Sequence, residues 1–502
     1  MIRNLFHAFL AMSVLTVLVA YACSFTWSKI SYDTINTVVP VSMIGISMWF
    51  GYKIVKQEPY AIWTPALLFL GHVALFRGIG PLVYVFSNAF TQEKIRYGPW
   101  SISDTELLDT HLLNGLGTSS ILLGCLLFLV AFARPKSTAL PTGPRISVMQ
   151  AAVCFLVPGA LIRYGVVIPN TFGITPAFLL PGFLLKLSFL VDIGFALLAF
   201  LAVRQGGAVK TIFWILFLPH YFTLFLEFKK SALMIGAILP IIGAYMGNRD
   251  IRRMALNLAL LSVVYIGSQP IVHYARAEMN EISGSIFGAS FSQRIEIASG
   301  MIFGTTGSID DIIAEDEAQS GWLRLSYAAN QAIAMRNYDI AGPTDTIKSV
   351  WQVFIPRFIW PEKPSFIYLG SDFYYVITGR DTTVLVGSTI HADSYWNYGW
   401  WGVVFIGVAI GIFFGFASNL ALIFLRRHEF IYLPAIMLSM DMAMRQLNGW
   451  VLTGFFGQLP FYFAFLAMIW ILSQVITRLA KETAPPQSAS QSMSHSAPSK
   501  AS

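Results

Sequence analysis

The chain carries little charge. Only 12% of its 502 residues are Asp, Glu, Lys or Arg, whereas a soluble domain carries about 25%. Hydrophobic residues make up 56% of the chain, and its repeated apolar runs of around 20 residues are typical of helices that cross a membrane. The composition therefore excludes a soluble fold for the whole chain and predicts an all-α, polytopic helical membrane protein.

Cysteines and the common catalytic motifs are also scarce. Cys23, Cys125 and Cys154 all lie inside apolar runs, where they fit small packing residues better than disulfides or metal ligands. The chain has no H-E-x-x-H or Cys-x-x-Cys spacing, no Walker A sequence and no G-x-S-x-G elbow. These absences disfavour a metal centre, an ATP-driven pump and a serine hydrolase. His72 and His220 lie alone inside helices and are interpreted as hydrogen-bonded packing residues.

The apolar runs predict about twelve membrane helices, at 5–25, 36–55, 61–86, 112–133, 147–169, 174–203, 210–227, 231–247, 254–271, 399–425, 430–448 and 459–478. Residues 1–271 would hold the first nine helices, 272–398 one long loop, and 399–480 the last three. The segment 481–502 is rich in Ser, Ala, Pro and Gln, which predicts a disordered cytoplasmic tail.

The distribution of Lys and Arg predicts the orientation in the membrane. The short loops and termini on one side of the predicted helices hold sixteen of these residues and the short loops on the other side hold five, and cytoplasmic loops carry such an excess. This places the amino terminus in the cytoplasm and the 272–398 loop outside it. The net charge of +7 therefore comes mainly from short loops, and it does not indicate a nucleic-acid partner.

Six basic residues depart from this distribution, because they lie in or beside the outer half of the predicted bundle: Arg77, Arg163, Lys186, Lys229, Lys230 and Arg445. A charge in the hydrocarbon region costs about 2.5–3.5 kcal/mol on insertion scales. Each cation could reach the interface or pair with Asp192, Glu227 or Asp441. Together they could instead bind an anion carried by a lipid, for which diphosphate is the obvious candidate.

A proline-rich stretch lies near the end of the long loop. Pro356 and Pro364 bound it, and Pro residues force an extended or turning path. Trp360 is an aromatic anchor of the kind found at membrane interfaces. The stretch therefore predicts that Arg357 and Lys363 are held close to the bilayer surface.

The last residues of the loop offer polar and aromatic groups. His391 or Asp393 could accept a proton from a sugar hydroxyl, or could cap and pack the start of the next helix. Trp360, Tyr395 and Trp396 have rings that could stack on sugars, or could belong to an interfacial aromatic belt. Both interpretations stay open for each residue.

Three features carry a resemblance to a known family. The first is the layout, in which many helices and a short outer turn are followed by two more helices and one long outer loop. The second is Pro-Arg-Phe-Ile-Trp-Pro-Glu-Lys-Pro at 356–364, and the third is Tyr-Trp-Asn-Tyr-Gly-Trp-Trp-Gly at 395–402. The motifs are similar to a proline-tryptophan-lysine-proline stretch and an aromatic-Asn-aromatic-Gly-x-x-Gly re-entry. The chain thus resembles the O-antigen and exopolysaccharide repeat-unit polymerases of bacterial envelopes.

The resemblance implies a glycosyl transfer without metal, nucleotide or cofactor, at the outer face of the bacterial inner membrane. The donor would be an oligosaccharide on a polyprenyl diphosphate, and the acceptor a sugar hydroxyl of a second lipid-linked unit. Arg357 would be catalytic, with Asp393 or His391 as the base. The residues expected to bind diphosphate are Lys229, Lys230, Arg77, Arg163, Lys186, Lys363 and Arg445. Those expected to bind sugar are Trp360, Tyr395 and Trp396, and the expected partners are a chain-length regulator and a flippase.

Two other functions stay open. O-antigen ligases share the layout but have a Ser-Arg pair at the short outer turn, where this chain has Lys229, Lys230 and Ser231. His391 lies where the ligase His would, whereas Asp393 is nearer the acidic position of the polymerases. A lipid-linked glycan transporter is the second alternative, although transporters tend to show internal repeats and a site near the membrane midplane.

Overall fold

The protein is built from α-helices. A computed structural model describes residues 1–24, 32–97, 101–132, 147–175, 180, 182–283, 289–303, 322–323, 325–355, 359–360, 362, 368–379, 386–446 and 452–482. Some side chains within these ranges, among them those of Lys230 and Arg445, are not described. No strand occurs in the described ranges. The protein is therefore all-α there, as its composition predicts.

The main helices of the described ranges are α1 (Ile2–Ser24), α2 (Tyr32–Gln57), α3 (Pro65–Phe86), α4 (Ala89–Tyr97), α5 (Asp104–Phe132), α6 (Val148–Thr171), α7 (Phe183–Gln205), α8 (Gly207–Leu226), α9 (Lys230–Asn248), α10 (Ile251–Ser283), α11 (Phe291–Phe303), α12 (Ala328–Ala341), α13 (Tyr368–Thr378), α14 (Ile390–Arg426), α15 (Phe430–Met444) and α16 (Leu452–Val475).

Ten of these described helices are long and apolar enough to cross a membrane: α1, α2, α3, α5, α6, α7, α8, α9, α14 and α16. The protein is thus a polytopic helical membrane protein. α15 is a shorter apolar helix and coincides with the eleventh predicted span, while α10 contains the ninth. The count of twelve spans, like the side on which the long loop lies, stays a prediction.

The helices α5 and α14 pack closely in the bundle core. A Cβ at Gly411 would lie 2.0 Å from the Ile121 carbonyl oxygen, and one at Gly124 would lie 2.1 Å from the Val408 carbonyl oxygen. Such small residues let helix backbones approach closely in a membrane. Elsewhere, large apolar side chains such as Ile215 are exposed, as expected where a helix faces lipid.

Helix α10 crosses the predicted boundary at 271/272 and runs without a break to Ser283. Val272, Ala275 and Met279 recur at helical spacing and are buried in one apolar cluster with Ile297 of α11. This buried face stabilises the helix while its other face is polar. The first part of the predicted loop is therefore a continuation of a helix, and α11, α12 and α13 follow it.

The predicted re-entry point at Gly399 coincides with a break inside α14. Tyr398 and Gly399 have non-helical backbone angles, and φ of Gly399 is +60°. Glycine adopts this left-handed conformation without a steric penalty. The short buried segment before the break, which includes His391 and Asp393, can therefore point in a different direction from the long apolar helix after it.

Candidate functional site

A network of charged and polar side chains links α6, α7 and α8. Arg163 is 5% exposed. Its guanidinium donates to Glu227 and lies 3.8 Å from the Asp192 carboxylate. The network consists of Arg163, Tyr164, Asp192, His220, Glu227 and Lys229, and we call it the Arg163 network. Two of the predicted cations, Arg163 and Lys229, thus meet two of the predicted partners, Asp192 and Glu227.

The remaining contacts of the Arg163 network close it into a chain. His220 Nε2 is 3.0 Å from Asp192 Oδ1, and His220 Nδ1 is 2.7 Å from the Tyr164 hydroxyl. Lys229 Nζ lies 3.5 Å from Glu227 Oε2. The network thus sets two basic side chains, Arg163 and Lys229, against two carboxylates, Asp192 and Glu227. The pairing alternative drawn from the sequence is therefore observed for Arg163 and Lys229.

Two arginines from the predicted 272–398 loop hold the turn that contains Glu227 and Lys229 in place. Arg294 donates to the carbonyl oxygens of Ala289, Leu226 and Thr171 at 2.9, 3.1 and 3.4 Å. Arg276 Nε donates to the Phe228 carbonyl oxygen at 3.1 Å. Phe228 itself has a φ of +47°, which is uncommon for a bulky residue.

Burial lowers the pKa of the Arg294 guanidinium from its ordinary value, and nearby Glu227 opposes that shift. The guanidinium also lies 5.0 Å over the ring of Phe172. Together these contacts fix the backbone that presents Lys229. The sequence did not single out Arg276 or Arg294. Both are basic residues on the predicted outer side, which is the signal that marked the other six cations.

Three of the singled-out arginines lie in π-helical turns: Arg77 in Val73–Ile79, Arg163 in Arg163–Val167 and Arg445 in Met442–Gln446. The described residues contain no other π-helical segment. A π turn carries one extra residue and is frequent at functional sites. The backbone thus departs from the α-helix where these cations occur.

An apolar groove of about 150 Å³ lies between α3, α7, α9, α15 and α16. Its lining recurs at helical spacing on three of these helices: Lys186, Phe189, Leu190 and Ile193 on α7; Ile235, Ile238, Leu239 and Ile242 on α9; Pro434, Met437, Leu438, Asp441 and Met444 on α15. The charged groups of the lining are Lys186 and Asp441, whose Nζ and Oδ2 are 3.5 Å apart.

The groove and the Arg163 network are adjacent. Ile193 lines the groove, and the preceding residue Asp192 belongs to the network. The α7 segment that holds Lys186 packs on the π turn that begins at Arg163. Lys229 directly precedes α9, one face of which lines the groove. Three predicted diphosphate ligands, Arg163, Lys186 and Lys229, are therefore brought into one region.

Arg77 lies in a different region, with His72 and His391. It is 1% exposed, and together with His72 it lies close enough to His391 to act on it electrostatically. The His391 ring packs directly on α5, because a Cβ at Gly117 would lie 2.4 Å from His391 Nδ1. His72 Nδ1 is 3.2 Å from the carbonyl oxygen of Met444, a residue of the groove lining. This region therefore also borders the groove, through Met444.

Asp393 is completely buried, and its carboxylate joins three parts of the chain. Oδ1 accepts hydrogen bonds from Thr346 Oγ1 at 3.0 Å and from Asn397 Nδ2 at 3.3 Å. Oδ2 accepts one from the backbone N–H of Leu452 at 2.6 Å, which is the first residue of α16. We call Asp393, Asn397, Thr346 and the Leu452 N–H the Asp393 latch. The Asp393 carboxylate, which belongs to α14, therefore caps the start of a different helix, α16.

Two of the three predicted sugar-binding aromatics are buried. Tyr395 is 6% exposed and Trp396 5% exposed. Tyr395 packs edge-on against Tyr338 and Trp400, and Trp396 packs on Phe373. Neither ring presents an open face to a sugar in this conformation. Trp360 is partly exposed, and its ring stacks with that of Trp351 at 6.2 Å.

Several predicted site residues lie outside the described part of the chain. Arg357 and Lys363 are among them, as are the side chains of Lys230 and Arg445. Their roles stay predictions. Among the described candidates, Arg163, Lys186 and Lys229 lie in one region beside the groove and Arg77 and His391 in another.

Comparison with known proteins yields no match: no family model, no curated protein and no solved structure is similar to this chain.

Proposed function

We propose that the protein is a polymerase of lipid-linked oligosaccharide repeat units, at the outer face of a bacterial inner membrane. The bond between the anomeric carbon of the donor glycan and its diphosphate oxygen breaks, and a new bond forms to a sugar hydroxyl oxygen of a second lipid-linked unit. The hydroxyl proton passes to a base, and the diphosphate leaves with the negative charge. The sequence resemblance suggests this reaction.

The observation that carries the proposal is the placement of cations at one end of an apolar groove. Lys186 lines the groove, and Arg163 and Lys229 lie beside it. A lipid diphosphate combines an apolar chain with a compact anion, so it matches this combination. Cations that face the departing diphosphate stabilise charge that develops in the transition state.

An anion that binds to the Arg163 network would compete with its carboxylates for the cations. Glu227 contacts both Arg163 and Lys229, so a phosphate oxygen would take the place of this carboxylate. Arg163 Nε is buried and has no hydrogen-bond acceptor among the described residues. The Nε–H group of Arg163 can therefore donate to a ligand, in addition to the Arg163–Glu227 contact that the ligand would replace.

His391 and Asp393 both remain candidates for the base. Three hydrogen bonds already occupy the Asp393 carboxylate, which favours a role in holding the helices together. His391 borders the groove region without such a set of bonds to its ring among the described contacts. We therefore propose His391 as the first residue to test as the base, with a substitution of Asp393 for comparison.

Two alternatives predict different products in cells. An O-antigen ligase would use the same groove to attach finished glycan to another acceptor, and a transporter would move the lipid-linked unit across the membrane. A polymerase would work with a chain-length regulator and a flippase.

The test is a gel of surface polysaccharide from cells in which this protein is the only source of the activity. We expect Lys229→Ala and Arg357→Ala to leave single repeat units without the ladder, and Arg252→Ala, at an exposed cation on α10, to leave the ladder intact. An intact ladder in both site variants contradicts the proposal. Loss of all extracytoplasmic glycan favours transport, and a ladder that fails to reach its final acceptor favours the ligase.

A further inference from the structure

We infer that the groove between α7, α9 and α15 binds the isoprenoid chain of the lipid-linked ligand, with the phosphate at the Lys186 end. This inference rests on the proposed function and assigns residues to a part of the substrate that the cations do not contact. The occupant is a single-chain anionic lipid rather than a membrane phospholipid.

The lining favours a hydrocarbon chain. One face of α7 and one face of α9 contribute Phe189, Ile193, Ile235 and Ile238, and α15 adds methionines, including Met437. Methionine side chains are flexible and fill irregular gaps, so they adapt to a methyl-branched chain. The remainder of the lining is aliphatic or aromatic apart from the Lys186–Asp441 pair. No sugar could satisfy its hydroxyl groups along these walls.

The size of the groove favours one chain over two. A dry apolar cavity of about 150 Å³ holds one small molecule such as benzene, and the groove has the same volume of about 150 Å³. It therefore has room for a short segment of one chain beside the headgroup. A phospholipid would bring two chains to the same place.

The polarity of the groove sets the direction of the chain. Lys186 stands near the first residues of α7, and Asp441 near the last residues of α15. Lys229, at the start of α9, lies at the corresponding end. An anionic headgroup would therefore lie at this end, with the chain running along Phe189, Ile238 and Met437 towards Ile242 and Pro434.

The first experiment measures binding of a glycan-free polyprenyl diphosphate to the purified full-length protein in nanodiscs. We expect Ile238→Trp, which fills the groove, to weaken binding by about tenfold or more. The matched control Ile215→Trp changes a residue that is 64% exposed on α8, and it should bind like the wild type. Wild-type affinity in Ile238→Trp, or equal competition by a phospholipid, overturns the inference.

The second experiment needs no substitution, so it does not depend on whether a variant folds. A polyprenyl diphosphate with a photoreactive group in its first isoprene units is cross-linked to the wild-type protein, and the labelled peptides are identified by mass spectrometry. Labels on the Ile235–Ile242 face of α9 and on α15 support the groove. Labels confined to lipid-facing positions of α8, such as Ile215, overturn it.

These measurements separate the groove from the proposed function. Binding of the glycan-free lipid in the groove, together with no polymer from the wild-type protein, would contradict the polymerase and leave the groove assignment intact. Polymer formation with equal binding in Ile238→Trp would contradict the groove and leave the polymerase intact.

Discussion

The Arg163 network and the Asp393 latch stabilise their charged side chains in different ways. In the network, Arg163 and Lys229 meet Asp192 and Glu227, and charge is balanced by charge. In the latch, a single carboxylate is held by hydroxyl, amide and backbone N–H donors. A balanced network can exchange one anion for another, whereas a carboxylate that fastens three chain segments cannot leave without loosening them. The first arrangement suits a binding site, and the second suits a structural joint.

The largest effect should come from Arg163→Ala. Removing the cation leaves the buried Asp192 and Glu227 carboxylates without the Arg163 charge, and breaking a buried ion pair in this way costs about 3–5 kcal/mol of folding stability. Thermal unfolding of the purified protein in detergent measures the loss. Adding Glu227→Gln should recover part of it, because one of the uncompensated charges is removed. A loss no larger than that of Arg252→Ala would show that the network does not hold buried charge.

A smaller effect is expected from Gly117→Ala, which displaces His391 without changing it. The added methyl group would collide with the imidazole, and overpacking of this kind costs about 1–3 kcal/mol. We expect polymerisation per folded molecule to fall with it. Gly45→Ala is the control, since a Cβ there meets nothing within 4 Å. Undiminished turnover in the folded Gly117→Ala protein would argue against His391 as the base.

Asp393→Asn should have the smallest effect of the three on turnover per folded molecule. The side chain keeps its shape but loses its charge, so the charge-assisted bonds to Thr346 and to the Leu452 N–H weaken, at a cost of about 1–3 kcal/mol. If Asp393 only holds the helices together, turnover per folded molecule of Asp393→Asn should stay near that of the wild type, whereas His391→Ala should lower it. A collapse of turnover with unchanged stability would move Asp393 from the joint to the chemistry.

The apolar runs predicted most of the helices, because about 20 apolar residues leave few alternatives to a span. The sequence also indicated Asp192, Glu227 and Asp441 as partners for the buried cations, since an unpaired charge inside a membrane is costly. The continuation of α10 beyond residue 271 could not be predicted from mean hydropathy, because polar residues separate the apolar residues of its buried face, which include Val272 and Met279.

The arginine clamp and the buried aromatics could not be predicted from the residue types alone. Arg276 and Arg294 donate to backbone carbonyls, and every residue has a carbonyl, so no complementary side chain marks the contact. Tyr395 and Trp396 have the composition of an interfacial belt or a sugar platform, and only the packing of Tyr338 and Phe373 shows that their rings are covered.

The three π turns have a consequence for how the chain tolerates insertions and deletions. An α-helix advances by about 100° per residue, so the extra residue of each π turn rotates everything beyond it by that angle. Deleting one residue from Arg163–Val167 would restore a regular helix and turn the remaining face of α6 away from its neighbours. Chains that share this arrangement should therefore gain or lose single residues there only together with the arginine.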